Sequence, residues 1–367
     1  MIGWVRAERS FEHLAHVAFA SRMTRGREVS TSPPADGMCD RRAVKLEQLV
    51  VPCIATLLLA CHAAAPAPGA RAAEGRAPGD GAELFYRMIG GSGGATSDVL
   101  VMIHGGPGMD MGYMVSDFGP LAERHKLLFY DQRGGGRSEL MRDDAALYTM
   151  ERHVADLEAL RRHFGLDRMT LVAHSFGPAI AASYAMAHPD RVARMIFLGP
   201  VPPRAGDLWK RYGATVDSRL TPDERAELAR QEDAMLHGPD PVRACRAYWA
   251  IGVKPRLASP DLASRITGDF CSAGPAAIRS GMGVAGPHTE ESLGQWDFRA
   301  GLRAVPAPTL IIHGEADAIP MDLVEEWTTS LPNAKLLKIP GASHFPYVER
   351  PDLVWPAIET FLRVTRS

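Results

Sequence analysis

A serine flanked by small residues is the strongest chemical signal in this sequence of 367 residues. Ser175 follows an apolar run at 169–173 and precedes Gly177 and an alanine-rich segment with a helical pattern. This order predicts a strand, a sharp turn and a helix, which would lift the hydroxyl above the end of the strand. A serine hydroxyl is a weak nucleophile until a base removes its proton, so a histidine is required within hydrogen-bond reach.

Two later residues complete a set that can activate this serine. Asp317 follows an apolar run at 308–312, and His344 follows another at 335–339. A histidine can accept the serine proton, and a buried carboxylate fixes its tautomer and stabilises the imidazolium. We therefore predict that Ser175 is the nucleophile, His344 the base and Asp317 the acid that orients it.

Each of these residues also has a structural interpretation. Asp317 could cap the helix that follows Pro320, as aspartate often does near helix starts, and His344 could be an ordinary loop histidine. Glu315 and Asp322 are rival acids, but Asp317 best fits a loop just beyond a strand. The chain order Ser, Asp, His at successive strand ends is that of the α/β-hydrolase arrangement.

Acyl transfer also needs hydrogen-bond donors for the oxyanion. The backbone N–H of Phe176, next to the nucleophile, is one candidate. The glycine-rich loop 104–108 follows a buried strand at 98–103, and we place the second donor at Gly106. Glycine lets the backbone approach a substrate closely, which makes Gly105 a candidate substrate contact. Losing one oxyanion donor typically raises the barrier by about 3 kcal/mol.

Strands and helices alternate in the outer parts of the folded region. Strands are expected at 83–89, 98–103, 126–130, 169–173, 193–198, 308–312 and 335–339. Amphipathic helices are expected at 150–164 and 352–364, and residues 202–299 interrupt the alternation with polar helices. The pattern predicts an α/β fold in which a mostly parallel, doubly wound sheet (81–201 and 300–367) carries an inserted helical cap. The site would lie outside the carboxyl ends of the strands.

The N-terminal region has the composition of targeting and tethering segments. Basic residues precede an apolar run at 49–60, and Cys61 ends a stretch that resembles a bacterial lipobox. The run is shorter than the roughly 20 residues that span a bilayer. We expect a signal segment at 38–61 with Cys61 lipidated, the alternative being a short buried helix. Residues 1–37 would then be an untranslated or disordered leader and 62–80 a disordered linker, in a protein exported to the periplasm or anchored to the membrane by lipid.

Composition and motifs disfavour several classes of function. The net charge of −2 gives no reason to expect nucleic acid. The sequence contains none of the motifs C-x-x-C, H-E-x-x-H and G-x-x-x-x-G-K, which would indicate zinc or a nucleotide. We expect a small-molecule or short-peptide substrate, no metal and no organic cofactor, and leave the oligomeric state open.

Two longer motifs resemble those of a known family. Residues 104–108 (His-Gly-Gly-Pro-Gly) and 130–138 (Tyr-Asp-Gln-Arg-Gly-Gly-Gly-Arg-Ser) are similar to motifs of the proline iminopeptidase (prolyl aminopeptidase) family of α/β-hydrolases, and 341–346 agrees with it. The similarity covers roughly 81–201 and 300–364. It implies a serine hydrolase that removes an N-terminal residue, often proline, from short peptides, with the cap shaping the pocket.

The chain departs from this family at positions that bear on the substrate. The turn around the serine reads Ala-His-Ser-Phe-Gly where the family usually has Gly-Gly-Ser-Trp-Gly, and Gly135 stands where the family often has cysteine. Family caps commonly carry Trp-Glu, whose acid helps to bind the substrate amine; here Trp249 is followed by Ala250. Trp249 remains a candidate substrate contact, and the proline preference is left open.

An aminopeptidase also needs a carboxylate in its pocket to hold the free ammonium of its substrate. The sequence does not choose among the acids of the cap, of which Glu232 is our candidate: Glu232, Asp233, Asp261, Asp269, Glu290 and Glu291. A carboxylesterase or lactonase with the same triad would need no such acid. A binding protein that kept the fold without catalysis is a further alternative.

Four other residues are expected to serve the structure. Arg133 and Arg137 should tie the loop after the 126–130 strand rather than contact substrate. Cys245 and Cys271 in the cap could form a disulfide in an oxidising compartment, or remain two buried thiols too far apart to bond. The sequence leaves both possibilities open.

Overall fold

The computed structural model describes residues 73–91, 99–140 and 144–364, and the fold is given for these. The strands are β1 (Ala73–Pro78), β2 (Ala82–Gly90), β3 (Val99–Ile103), β4 (Lys126–Tyr130), β5 (Glu139–Leu140), β6 (Met169–His174), β7 (Val192–Leu198), β8 (Thr309–Gly314) and β9 (Ala334–Ile339). The seven strands expected from the sequence all lie within two residues of their predicted ends.

The α-helices follow the strands along the chain in the order that a doubly wound fold requires. They are α1 (Gly112–Val115), α2 (Gly119–Ala122), α3 (Met150–His163), α4 (Gly177–Ala187), α5 (Leu208–Ser218), α6 (Pro222–His237), α7 (Pro241–Gly252), α8 (Pro275–Ser280), α9 (Gly286–Leu293), α10 (Arg299–Leu302), α11 (Met321–Ser330), α12 (Pro346–Glu349) and α13 (Pro351–Val364). Among the described residues, every helix is too short or too polar to span a bilayer.

The strands form one mostly parallel sheet, which confirms the predicted fold class. Its order is β1-β2-β4-β3-β6-β7-β8-β9, with β5 paired to β2. The six neighbouring strands β4-β3-β6-β7-β8-β9 pair in parallel, while β1, β2 and β5 are joined to the sheet by antiparallel pairs. Parallel strands bring their carboxyl ends to one edge, so the loops after β3, β6, β8 and β9 meet there.

The two faces of the sheet are both covered, as the unbroken apolar runs of the central strands require. Leu171 and Ala173 of β6 belong to the buried cluster on one face, with α3 and α4. Val172 of β6 and Ile196 of β7 belong to the cluster on the other face, with α13. The nucleophile loop therefore stands on a strand that is packed from both sides and cannot shift easily.

The predicted linker at 62–80 is wrong at its C-terminal end. Residues 73–78 form β1, which pairs antiparallel with β2 along its whole length. The linker was predicted because this stretch has few large apolar residues. An edge strand, however, is stabilised by backbone hydrogen bonds to its neighbour and needs few large apolar side chains. Here Ala77 is buried and Glu74 pairs with Arg87. The leader, the signal segment and Cys61 lie outside the described residues.

The segment between β7 and β8 is helical and includes α5 to α10. Its own apolar cluster contains Met235, Tyr248 and Ile278. Within that cluster Cys245 and Cys271 form a disulfide, with Cα atoms 5.9 Å apart. The structure thus selects one of the two possibilities that the sequence left open for these cysteines.

Candidate active site

The turn between β6 and α4 holds Ser175 in a strained conformation. Its φ of 59° is the only positive value of a non-glycine residue among the described residues. The end of β7 fixes the turn, because Ser175 N–H donates to Leu198 O at 3.0 Å and Val201 N–H donates to Ser175 O at 2.8 Å. A Cβ at Gly177 would lie 2.5 Å from the Ile103 carbonyl, so only glycine lets α4 begin this close to β3.

The structure brings the three predicted triad residues together. His344 Nε2 lies 2.9 Å from Ser175 Oγ, and His344 Nδ1 lies 3.0 Å from Asp317 Oδ2. Asp317 Oδ1 accepts a hydrogen bond from Ile319 N–H at 3.0 Å, which fixes the carboxylate plane. One imidazole therefore connects a buried carboxylate to the serine hydroxyl.

The environment of Asp317 favours its ionised form. Burial by itself would raise the pKa of this carboxyl, but its electrostatic interactions with His344 and His313 and the hydrogen bonds to it hold its pKa below the ordinary value. The rival acids lie elsewhere: Glu315 is exposed, and Asp322 forms an ion pair with Arg211. The structure thus agrees with the choice of Asp317 over its two neighbours.

The loop after β3 passes directly beside the serine. A Cβ at Gly105 would lie 2.5 Å from Ser175 Cβ, so the close approach requires glycine. Gly106 has a φ of 53° and, like Gly105 and Phe176, lines the cavity at Ser175. Both predicted oxyanion donors are therefore placed at the candidate site.

The Asp-Gln-Arg motif after β4 supports this glycine loop. Gln132 N–H donates to His104 Nε2 at 3.1 Å, and Gln132 Nε2 donates to His104 O at 2.7 Å. Asp131 accepts from the N–H groups of Met111 and Arg137 at 2.9 and 2.8 Å. The two motifs that resemble the proline iminopeptidases are therefore parts of one hydrogen-bonded unit.

The arginines of this motif tie the loop to neighbouring elements, as predicted. Arg133 is buried and forms a two-bond pair with Asp156 of α3, at 2.7 and 2.8 Å. The guanidinium of Arg137 lies 3.4 Å from the ring centroid of Phe85 and pairs with Glu74. A buried guanidinium needs a carboxylate partner, which Asp156 supplies.

Comparison with known proteins agrees with this geometry. Residues 98–351 match the family described as alpha/beta hydrolase fold. The chain belongs to that family. It is therefore a hydrolase, and the strand, turn and helix at Ser175 are the family's architecture in this chain.

Two relatives that are similar over most of this chain are both proline iminopeptidases. The α/β-hydrolase chain is 27% identical over 283 residues to the proline iminopeptidase of Lactobacillus helveticus, covering 76% of this chain and 94% of the relative. It is 24% identical over 286 residues to the proline iminopeptidase of Heyndrickxia coagulans, covering 77% and 96%.

Solved structures share the fold. The proline iminopeptidase of Mycobacterium smegmatis superimposes with a TM-score of 0.60 at 22% identity, covering 80% of this chain and 98% of that one. A thermophilic esterase from Thermogutta terrifontis gives 0.57 at 24% identity, covering 80% and 100%. Both likenesses concern the α/β-hydrolase fold alone.

A buried hydrogen-bond chain in this hydrolase escaped the sequence analysis. Gly105 N–H donates to the Tyr113 hydroxyl at 2.6 Å, and that hydroxyl lies 2.8 Å from His174 Nδ1. His174 Nε2 lies 3.0 Å from the His344 carbonyl. Burial lowers the pKa of His174 to about 3, so its imidazole is neutral. Its Nε2–H then donates to His344 O and its Nδ1 accepts from Tyr113.

The cavity at Ser175 is predominantly aromatic. It contains the predicted contacts Gly105 and Trp249, and its one charged side chain among the described residues is Arg256. Its aromatic residues are Tyr113, Phe176, Tyr212, Tyr248, Trp249, Phe270 and Phe345. Such a lining suits an apolar or planar group beside the scissile bond.

No described residue that lines this cavity carries a carboxylate; Glu232 is not itself a lining residue, but its charge acts on Tyr248, which is one. Glu232 lies half-buried on α6. Position 250, where the resemblance would place an acid after Trp249, is exposed alanine. Helical periodicity explains this outcome, because adjacent residues of a helix point about 100° apart and Trp249 itself takes the inward direction.

Proposed function

We propose that this protein is a serine hydrolase that works through an acyl-enzyme. Ser175 Oγ attacks the substrate carbonyl carbon while His344 Nε2 accepts its proton, and Asp317 stabilises the resulting imidazolium. The N–H groups of Gly106 and Phe176 donate to the oxyanion. The observation that carries this proposal is the continuous hydrogen-bonded path from Asp317 through His344 to Ser175 at the cavity floor.

The second half of the reaction follows from the same groups. His344 returns the proton to the leaving amine or alcohol, the bond to that group breaks, and an ester remains on Ser175. Water then attacks this ester while His344 accepts a proton, and the acid product leaves as Ser175 recovers its hydrogen. No metal or cofactor takes part in these steps.

For the substrate we propose release of N-terminal residues from short peptides, as in the proline iminopeptidases. The support is twofold. Curated relatives with that name align over nearly their whole length. The two motifs that carry the resemblance also lie at the candidate site, where residues 104–108 and 131–137 build and brace the oxyanion loop.

A carboxylesterase activity is the second candidate. It is favoured by the cavity lining, which among the described residues offers Arg256 and no carboxylate to pair with a substrate ammonium. Esters need no such partner, and their alcohols leave more readily than amines.

One pair of substrates separates the two candidates. Purified protein is assayed with a proline arylamide and with a p-nitrophenyl ester, as wild type and as Ser175→Ala. Cleavage of the arylamide that Ser175→Ala abolishes supports the aminopeptidase. Cleavage of the ester alone supports the esterase, and activity that survives in Ser175→Ala contradicts the serine mechanism itself.

A further inference from the structure

Glu349 is a buried acid that the proposed mechanism does not use. It ends the short helix α12, is only 1% exposed and is not among the residues that line the cavity at Ser175. Its carboxylate accepts hydrogen bonds from three backbone N–H groups, which belong to Ala258, Ser343 and Phe345. Because a buried charge is stable only when such donors hold it, these three partners indicate what the side chain does.

Two of the three donors lie on either side of the proposed base. Oε1 of Glu349 accepts from Ser343 N–H at 2.9 Å and from Phe345 N–H at 3.2 Å. His344 stands between these two residues, and its own N–H donates to the Arg256 carbonyl at 3.0 Å. All three N–H groups of this stretch are therefore bonded, and one carboxylate oxygen holds the backbone before and after the imidazole.

The third donor comes from the cap. Oε2 of Glu349 accepts from Ala258 N–H at 2.7 Å. Ala258 lies two residues after Arg256, whose carbonyl accepts from His344 N–H. This cap segment is thus bonded twice to the loop of the base, once directly and once through Glu349. The bond through Glu349 is the stronger of the two, because hydrogen bonds to an ionised group are roughly twice as strong as neutral ones.

Burial opposes the charge of Glu349. It raises the pKa of this carboxyl, and the charge of Asp317 raises the pKa further, while the three backbone hydrogen bonds lower it only in part. An uncharged residue would avoid this electrostatic penalty, so packing alone does not explain an acid at this position. Glutamine would not replace it fully, since its amide has one oxygen and its NH2 group cannot accept from an N–H.

We propose that Glu349 is a positioning residue that holds His344 in its bonds to Ser175 and Asp317 and joins that geometry to the cap, an assignment that rests on the proposed acyl-enzyme function. The two bonds of the imidazole are 2.9 and 3.0 Å long. Loss of the carboxylate releases the backbone on both sides of His344 and separates it from the cap. Because Glu349 does not line the cavity, its loss should affect the chemical step more than substrate binding.

Variants of Glu349 measure this effect with whichever of the p-nitrophenyl ester and the proline arylamide the wild type cleaves. Glu349→Ala should lower kcat by about 100-fold and change KM little, the effect of a catalytic group displaced by about 1 Å. Glu349→Gln should lower kcat less, by about tenfold, because its amide oxygen can still accept from Ser343 and Phe345 while its NH2 group faces Ala258 N–H.

Asp117→Ala is the matched control. Asp117 Oδ1 accepts from Thr267 N–H at 2.9 Å and from the Thr267 hydroxyl at 2.6 Å, so it also joins the cap to the core through a carboxylate. These bonds do not involve the loop of His344. Asp117→Ala should therefore lower stability, as Glu349→Ala does, but leave kcat close to the wild-type value. Urea unfolding of both variants measures the effect on stability.

The rate at which a fluorophosphonate labels Ser175 reports the same alignment without a substrate. It should fall in Glu349→Ala as kcat falls and stay unchanged in Asp117→Ala. Wild-type kcat and labelling rate in folded Glu349→Ala, or equal losses in Asp117→Ala, would overturn the role of Glu349. If Glu349→Ala does not fold, Glu349→Gln decides, and wild-type kcat in that variant would overturn the proposal. Absence of both labelling and cleavage in the wild type would instead refute the proposed function.

Discussion

His174 donates a hydrogen bond from Nε2 to the backbone carbonyl of His344, at 3.0 Å. The residue before the proposed nucleophile is thereby bonded to the backbone of the proposed base. On its other side His174 accepts from Tyr113, which in turn accepts from Gly105 N–H. The turn that carries Ser175, the loop that carries His344 and the glycine loop 104–108 thus form one buried unit. A small movement of any one of them is resisted by the other two.

We predict that Tyr113→Phe lowers kcat by up to about 100-fold with little change in KM, because small displacements of catalytic groups cost that much. The change removes a hydroxyl and leaves Gly105 N–H and His174 Nδ1 buried without partners. Each loss should lower the free energy of unfolding by about 1–3 kcal/mol. Steady-state kinetics and urea unfolding measure the two effects.

Tyr347→Phe is the control for that variant. Tyr347 is buried and its ring lies 5.5 Å from that of His174, but its hydroxyl has no hydrogen-bond partner among the described residues. Its removal should leave kcat unchanged and stability equal or higher. Equal losses in both variants would mean that the hydroxyl of Tyr113 has no special role.

Asp317→Asn should lower kcat by roughly 10⁴-fold and leave the fold intact, because the amide holds the His344 ring in the wrong tautomer. Glu315→Gln and Asp322→Asn are controls, since Glu315 is exposed and Asp322 pairs with Arg211 at the surface. Both should keep nearly full activity with a p-nitrophenyl ester or proline arylamide. A large loss of activity in either control variant would mean that Asp317 is not the acid that orients His344.

Opening the cap disulfide should weaken both stability and substrate binding. Phe270 precedes Cys271 and stacks on Trp249 and Tyr113, with ring centroids 4.4 and 5.3 Å apart. The double variant Cys245→Ser/Cys271→Ser should lose about 3 kcal/mol in the free energy of unfolding and show a raised KM. Peptide mapping of the unreduced protein should find the two cysteines cross-linked; two alkylated thiols would contradict the bond.

The sequence predicted the sheet and the triad because both follow from local patterns. Apolar runs marked the central strands, and Asp317 and His344 followed two of them, so the parallel topology alone brought them to Ser175. The glycines of the 104–108 loop were equally informative, since a close backbone approach permits no other residue.

The sequence could not reveal contacts that depend on the packing of the cap. Arg256 and Phe270 line the cavity but come from a segment without regular periodicity. Tyr113 and His174 form a hydrogen bond although they are 61 residues apart in the sequence. The sequence could not choose among the acids of the cap, and the charge of our candidate Glu232 reaches the cavity residue Tyr248 from α6 although Glu232 does not line the cavity. The edge strand β1 was missed because its stability comes from backbone pairing and not from apolar side chains.

The covalent intermediate on Ser175 is the central claim, and mass spectrometry of the quenched enzyme tests it most directly. Wild-type protein mixed with a slowly hydrolysed p-nitrophenyl ester should gain the mass of one acyl group, and peptide mapping should place that group on Ser175. Ser175→Ala should gain no mass and cleave neither the ester nor the arylamide. Turnover in Ser175→Ala, or an acyl group found on another residue, would contradict the account.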